Sequence, residues 1–225
     1  MKVKTIRQAA EFLEEKGLAT LFPQRNASLP SLFQAVTGLP ERVSWADWDA
    51  SWDRLWEWKD ELPEKKLAWY GHFFSGKPTF ISAALLPHVL ALKTHSSLDQ
   101  AYEQGALPQD AKKAAEALER AGSVSTRELR ESLGWYGKEG NRRFHRTMLR
   151  LQQGLWVAKA GTEPQRTGWD AEVVDLMGRH FKTEVGKAKK ISRVNAWNTI
   201  LATTDVPAST LVRLFRTVGI FIPNS

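Results

Sequence analysis

Residues 110–169 constrain the fold of this chain more than any other part of the sequence. Apolar side chains recur at helical spacing over residues 110–121, and Gly122 is the kind of residue that ends a helix. Ser125 and Glu128 form the pattern of a capping box, in which two side chains satisfy the first free N–H groups of a helix. The sequence therefore predicts two helices separated by a very short connection.

A glycine-rich turn at residues 134–140 leads to a third predicted helix at residues 141–153. The apolar side chains of this helix recur at spacings of four and three and form one stripe, Phe144, Met148 and Leu151. Its arginines project from the other side, and they are Arg142, Arg143, Arg146 and Arg150. A strand at residues 155–160 and a turn-rich loop at residues 161–168 follow. This order predicts a winged helix-turn-helix.

The positive charge of the chain is concentrated in the same region. Residues 138–166 hold seven Lys or Arg and two Glu, a net charge of +5, against +7 for the whole chain. A guanidinium group can contact a phosphate or pair with guanine, so this charge favours duplex DNA as the partner. The predicted DNA contacts are Lys138, Arg142, Arg143, Arg146, Arg150, Lys159 and Arg166. The alternative is a solvated basic face on an ordinary three-helix core.

Composition excludes several kinds of chemistry. The chain has no cysteine, which rules out disulfides, thiolate nucleophiles and cysteine-bound zinc. Its five histidines are not spaced as metal ligands, and it has no phosphate-binding glycine loop or nucleophile elbow, so we expect no metal and no cofactor. No apolar run is long enough to cross a membrane, and the N-terminus has no secretory core, which together predict a cytoplasmic protein with no membrane partner.

A predicted helix at residues 44–59 carries four tryptophans on one face, at spacings of three, four and four. These residues are Trp45, Trp48, Trp52 and Trp56. They could form core or a platform for unstacked bases. We favour core, because residues 41–64 have a net charge of −5 from eight acidic and three basic side chains, which would repel phosphates.

The other predicted elements divide the chain at a linker over residues 93–98. Before it lie a hairpin at residues 67–82 and a helix at residues 82–92 that Pro87 interrupts. The predicted C-terminal helices span residues 170–181, 184–202 and 207–218. We expect a mostly α fold with small β-hairpins, and the first half could form a second, degenerate winged-helix unit in tandem. The predicted domains are residues 1–97, 98–172 and 173–225.

Several short motifs occur in a characteristic order between about residues 48 and 181. They are Trp69-Tyr70-Gly71, Leu85-Leu86-Pro87, Tyr102-x-x-Gly105-x-Leu107, Gly122-x-x-Ser125-Thr126-x-x-Leu129-Arg130 and Phe144-x-x-x-Met148-x-x-Leu151-Gln152. In these motifs the chain resembles the winged-helix family of bacterial DNA crosslink-repair glycosylases, the AlkZ-like family, as a shorter relative. The resemblance implies stacked winged helices around a DNA channel and hydrolysis of the N-glycosidic bond of damaged bases.

Glycosylases of that family position water with a Gln-x-Gln motif, which this sequence lacks, since Gln152 and Gln153 are adjacent. The resemblance therefore assigns no catalytic residue here. If the chain excises bases, a carboxylate is the expected water-activating group, and the candidates are Asp47, Asp49, Asp53 and Asp60. A flipped base also needs an aromatic pocket, for which the hairpin offers Tyr70, His72 and Phe73.

These observations favour a protein that binds double-stranded DNA with little sequence preference, in DNA repair. One alternative is an active glycosylase for alkylated or crosslinked bases, and another is a transcriptional regulator. A regulator usually pairs to recognise two half-sites, and the sequence assigns no oligomeric state. A protein-interaction module is a third alternative, although the concentration of arginine argues against it.

Overall fold

The computed structural model of the protein describes residues 2–24, 29–41, 49–166, 170–220 and 222. Within these residues the chain is mostly helical, with two small three-stranded antiparallel sheets. The prediction of a mostly α fold with small β-hairpins is therefore confirmed. Trp45 and Trp48 of the predicted tryptophan helix lie outside the described residues.

The elements of the N-terminal unit are α1 (Ile6–Lys16), β1 (Leu18–Thr20), α2 (Leu32–Thr37), α3 (Ala50–Glu64), β2 (Ala68–His72) and β3 (Pro78–Ser82). They surround the first sheet, in which β3 lies between β1 and β2 and is antiparallel to both. The three helices begin where the side chains of Thr5, Ser31 and Asp49 accept hydrogen bonds from main-chain N–H groups of the first turn. Two short helices, α4 (Leu86–Ala91) and α5 (Leu98–Glu103), lead to the next unit.

The second unit repeats that order of helix, strand, helix, helix, strand and strand. Its elements are α6 (Gln109–Ala121), β4 (Val124–Ser125), α7 (Thr126–Ser132), α8 (Gly137–Gln153), β5 (Val157–Glu163) and β6 (Ala171–Leu176). The last strand again lies in the middle of the sheet. The predicted capping box of Ser125 and Glu128 is present at the start of α7. The chain continues as α9 (Met177–His180), α10 (Lys182–Ala188), α11 (Arg193–Thr203) and α12 (Ala208–Thr217).

Three predicted helices are wrong in part. Residues 170–181 begin as strand β6, in which Val174 pairs with Lys159 of β5, and become helical only at Met177. Residues 184–202 form two helices instead of one, because α10 ends at Ala188 and the Ser192 side chain caps a new helix. The helix expected at residues 82–92 begins only at Leu86, since a proline is tolerated in the first turn of a helix and not further in.

Side chains from both units and from the C-terminal helices meet in one hydrophobic core. Phe74 of the first hairpin packs against Phe215 of α12, with ring centroids 5.1 Å apart. Trp69 of β2 and Leu155, which follows α8, are buried in the same cluster. A second cluster surrounds Trp52 in the N-terminal unit, and a third lies between the helices of the second unit. The shared core therefore fixes α8 relative to the first hairpin.

Candidate nucleic-acid interface

Helix α8 places its apolar and basic side chains on opposite faces. Phe144, Met148 and Leu151 are buried against the second unit, as the sequence predicts. The first turn starts at Gly137, earlier than expected, and a Cβ at Gly140 would clash with the main chain of Trp135. The glycine-rich sequence thus allows the helix to lie close against the preceding loop, which fixes the direction of its exposed face.

Two arginines dominate that exposed face. The side chains of Arg142 and Arg146 are 64% and 75% exposed, and each lies near Glu139, at 3.8 Å and 3.6 Å. Pairs this exposed contribute little to stability. Arg150 is exposed one helical turn further on, so the three guanidinium groups follow one line along the helix. Lys138 and Arg166 are also exposed.

Arg143 is held in a different contact. Its guanidinium group forms two hydrogen bonds with the carboxylate of Asp110 at the start of α6 and lies 4.6 Å from the centroid of the Trp135 ring. The hydrogen bonds from Arg143 lower the pKa of Asp110. Arg143 therefore joins α8 to α6, and its exposed fraction, 41% of the side chain, is what remains for a partner.

Lys159 does not fit the predicted set of DNA contacts. Its side chain is 3% exposed, and its ammonium group pairs with Asp60 of α3 and with Glu172 of β6, the latter at 3.0 Å. The cluster also includes Lys59, whose pKa is lowered by burial and by the charge of Lys159. We correct the prediction accordingly, because a buried lysine between two carboxylates cannot reach a phosphate.

The first hairpin does not offer the pocket expected for a flipped base. Tyr70 and Phe73 are buried in the hydrophobic cores, and burial raises the pKa of Tyr70. His72 is exposed, and its main-chain N–H donates to Oε1 of Gln152 at 2.9 Å, with Nδ1 of the His72 ring 3.3 Å from the same oxygen. The end of α8 is therefore attached to the hairpin through Gln152.

The carboxylates proposed for water activation are distributed over the N-terminal unit. Asp49 caps α3. It accepts hydrogen bonds from the hydroxyl group of Ser51 and from the main-chain N–H of Ser51, the latter at 2.8 Å, and these two bonds, the first of them most, lower the pKa of Asp49. Asp60 is occupied by its two lysines. Asp53 is exposed in the first turn of α3, and Asp47 lies outside the described residues.

Sequence reasoning missed two adjoining cavities of about 540 and 210 Å³ beneath the end of α8. Lys93, Thr94, His95 and Trp156 line both of them. The amine of Lys93 lies 3.2 Å from the centroid of the Trp156 ring and donates to the main-chain oxygen of Leu155 at 3.3 Å. Burial lowers the pKa of Lys93 to about 7. No sequence signal points to this site, because residues 93–98 have the composition of a linker.

The model of one protein family, described as AlkZ related, matches residues 3–209. The chain belongs to the AlkZ-related family. Searches of the curated proteins and of the solved structures found no match. The family relation agrees with the resemblance carried by the sequence motifs, and it connects the chain with DNA repair by glycosylases.

The structure places the two adjacent glutamines of this AlkZ-related chain in different surroundings. Gln152 is bound to the first hairpin, whereas its neighbour Gln153 lines the smaller cavity. No group of three His, Asp or Glu side chains in the part of the chain that the structure describes could hold a metal ion. None of the helices formed by these residues is long and apolar enough to span a membrane.

Proposed function

We propose that the protein binds duplex DNA through the exposed face of α8, as a member of a DNA-repair family. The observation that carries the proposal is the line of Arg142, Arg146 and Arg150 on a helix whose opposite face is buried. Guanidinium groups spaced one turn apart on a rigid helix can contact phosphates or base edges in a groove. This proposal places the protein in the cytoplasm, where its substrate would be chromosomal DNA.

The order of elements supports treating the second unit as a winged helix. In that fold a recognition helix follows a short helix and precedes a hairpin whose loop contacts the DNA backbone, as α8 follows α7 and precedes β5 and β6. Exposed Arg166, after β5, would then extend the contact from the wing. The N-terminal unit has the same element order, so we propose two winged-helix units in tandem.

Binding to a labelled duplex of mixed sequence, measured by fluorescence anisotropy over a series of salt concentrations, tests this proposal. Replacing Arg142 and Arg146 with Ala should weaken binding and flatten the slope of log K against log salt by about 1.8, at roughly 0.9 for each phosphate contact. Lys113→Ala with Arg120→Ala is the matched control, because it removes the same charge from exposed positions of α6.

The control pair should leave most of the slope in place. Equal losses in the two double variants would mean that net charge alone drives binding, and an unchanged slope in the folded α8 variant would place the DNA surface elsewhere. Circular dichroism of each variant establishes that the fold is retained.

Base excision is a second candidate function, which membership of the AlkZ-related family favours. Among the candidate carboxylates that the structure describes, Asp53 neither caps a helix nor belongs to the Lys159 cluster. Incubation with alkylated and crosslinked duplexes, followed by separation of abasic products, tests for it. A product that the wild-type chain forms and that Asp53→Asn does not form would establish a glycosylase. Tight binding without any product would mean that the protein binds DNA but does not excise bases.

A further inference from the structure

Lys93 lies between the two cavities, and it has no acidic partner in the part of the chain that the structure describes. Among the described residues, no Asp or Glu lines either cavity, and no carboxylate forms an ion pair with Lys93. Lys93 is half-buried, and a lysine withdrawn from water is usually paired, because an isolated charge is costly there. The main-chain oxygen of Leu155 and the face of the Trp156 ring hold the amine in place instead.

Because Lys93 lines both cavities, a ligand in either of them lies beside its side chain. Since burial lowers the pKa of Lys93 to about 7, a large fraction of the side chain is neutral near neutral pH. A neutral lysine in an apolar pocket is the form that attacks carbonyl groups to give Schiff bases. Its position between two cavities leaves space for a carbonyl compound on either side.

The walls of the cavities indicate what kind of molecule fits. The larger cavity, about 540 Å³, is within the usual range for small-molecule sites and has apolar walls that include Leu90, Leu98 and Met177. The charged side chains on the walls are all basic, namely Lys93, Arg150, Arg179, Lys189 and Arg193. Walls of this kind favour a compact ligand that carries negative charge, such as a sugar with attached phosphates.

Arg150 connects this site with the proposed DNA surface. It is the third arginine in the line on α8, and it also lines the smaller cavity with Lys93. We infer that Lys93 captures the aldehyde of an abasic deoxyribose in DNA as a Schiff base, with the flanking phosphates on the arginines of α8. The identity of the aldehyde rests on the proposed function, whereas the reactive amine does not.

The reaction is balanced without any oxidant or reductant. The nitrogen lone pair of Lys93 attacks the aldehyde carbon, and a proton moves from nitrogen to oxygen to give a carbinolamine. The carbinolamine then loses its hydroxyl group with a further proton as water, which leaves a C=N bond between the sugar and the lysine. His95 lines both cavities, and its buried Nδ1 has no hydrogen-bond partner among the described residues. In the inferred reaction His95 transfers the proton.

Reductive trapping on the wild-type chain tests the inference. The protein is incubated with a duplex containing one abasic site and with sodium cyanoborohydride, which reduces the imine to a stable amine, and peptide mass spectrometry locates the adduct. We expect the adduct on Lys93. Lys93→Met should lose it, whereas Lys189→Met, at an exposed position on the wall of the same cavity, should keep it. Because the adduct is mapped on the wild-type chain, the result does not depend on the folding of a variant.

A second probe separates this inference from DNA binding. Glyceraldehyde 3-phosphate carries an aldehyde and a phosphate but needs no nucleic-acid surface, so it should label Lys93 in preference to the exposed lysines. If that label forms while the duplex neither binds nor is trapped, the amine site stands and the proposed DNA function fails. Two outcomes would overturn the inference. In one, both probes form adducts only on the N-terminal amine or on exposed lysines; in the other, the duplex binds tightly and leaves Lys93 unmodified.

Discussion

The indole Nε1 of Trp69 donates a hydrogen bond to the main-chain oxygen of Val157, at 3.0 Å. Both residues are almost fully buried, and the bond joins β2 of the first sheet to β5 of the second. Because a buried acceptor without a partner is costly, this bond makes the packing of the two units specific as well as apolar. It also holds the end of α8, and hence the proposed DNA surface, against the first hairpin.

Trp69→Phe should therefore destabilise the protein by about 1–3 kcal/mol, beyond what the smaller ring alone costs, because the oxygen of Val157 loses its donor. Urea unfolding followed by circular dichroism measures the change. Trp197→Phe is the matched control, since Trp197 is also buried, but no described residue accepts a hydrogen bond from its indole. Equal losses in both variants would contradict a specific contribution from the hydrogen bond.

The helices of the second unit could be predicted because their signals are local. A capping box and a stripe of apolar side chains depend only on residues a few positions apart, as in α7 and α8. Strand β6 could not be predicted in that way. Its valines are compatible with a helix, and they form a strand because β5, the preceding strand, supplies the partner for residues 171–176.

The candidate site was only partly predictable for a related reason. Exposure of Arg142, Arg146 and Arg150 follows from the stripe on the same helix. The burial of Lys159 depends on Asp60, which is distant in sequence, although strand alternation does place Lys159 on the same face as Val157. No sequence pattern marks Lys93, because its cavity forms only when α8, α11 and the C-terminal segment pack around it.

Lys159→Met should lower the free energy of unfolding by about 2–3 kcal/mol, since Asp60 and Glu172 would lose the cation between them, and removal of one partner of a buried ion pair is costly. Adding Glu172→Gln should recover part of that loss, because one uncompensated charge disappears. Denaturant unfolding measures both effects. The affinity for DNA should not change. A weaker affinity with unchanged stability would mean that Lys159 does contact DNA.

The pair of Arg143 and Asp110 should make the free energy of unfolding depend on pH in the acidic range. Hydrogen bonds from Arg143 hold the pKa of Asp110 below its value in the unfolded chain. The contribution is therefore complete above the unfolded pKa of about 3.9 and is lost as the pH falls through the folded pKa. Asp110→Asn should be less stable than the wild-type chain at neutral pH, and the difference should shrink as the solution is acidified. A constant difference at all pH values would show that the ion pair contributes nothing.

Lys93 should make the stability of the protein depend on pH in a second range, from neutral to alkaline. Its pKa in the folded chain is about 7, below the ordinary value of 10.5, so between these values the unfolded chain binds a proton that the folded chain does not. The stability of the wild-type chain should therefore rise with pH across this window, and the cost of burying the amine is fully present below it. The other titratable groups on the cavity walls are His95, Arg150, Arg179, Lys189 and Arg193, and none of them is acidic.

Lys93→Met removes the titrating amine, so the difference in unfolding free energy, variant minus wild type, should fall as the pH rises from neutral towards 10.5. Guanidinium unfolding at several pH values in that range measures the difference. Loss of the hydrogen bond to Leu155 changes the stability of the variant by the same amount at every pH, so it does not alter how the difference depends on pH. Lys189→Met is the control, since it removes an exposed amine from the wall of the same cavity. A difference that does not vary with pH for Lys93→Met would mean that the buried amine stays protonated, and it would remove the chemical basis for Schiff-base formation at this position.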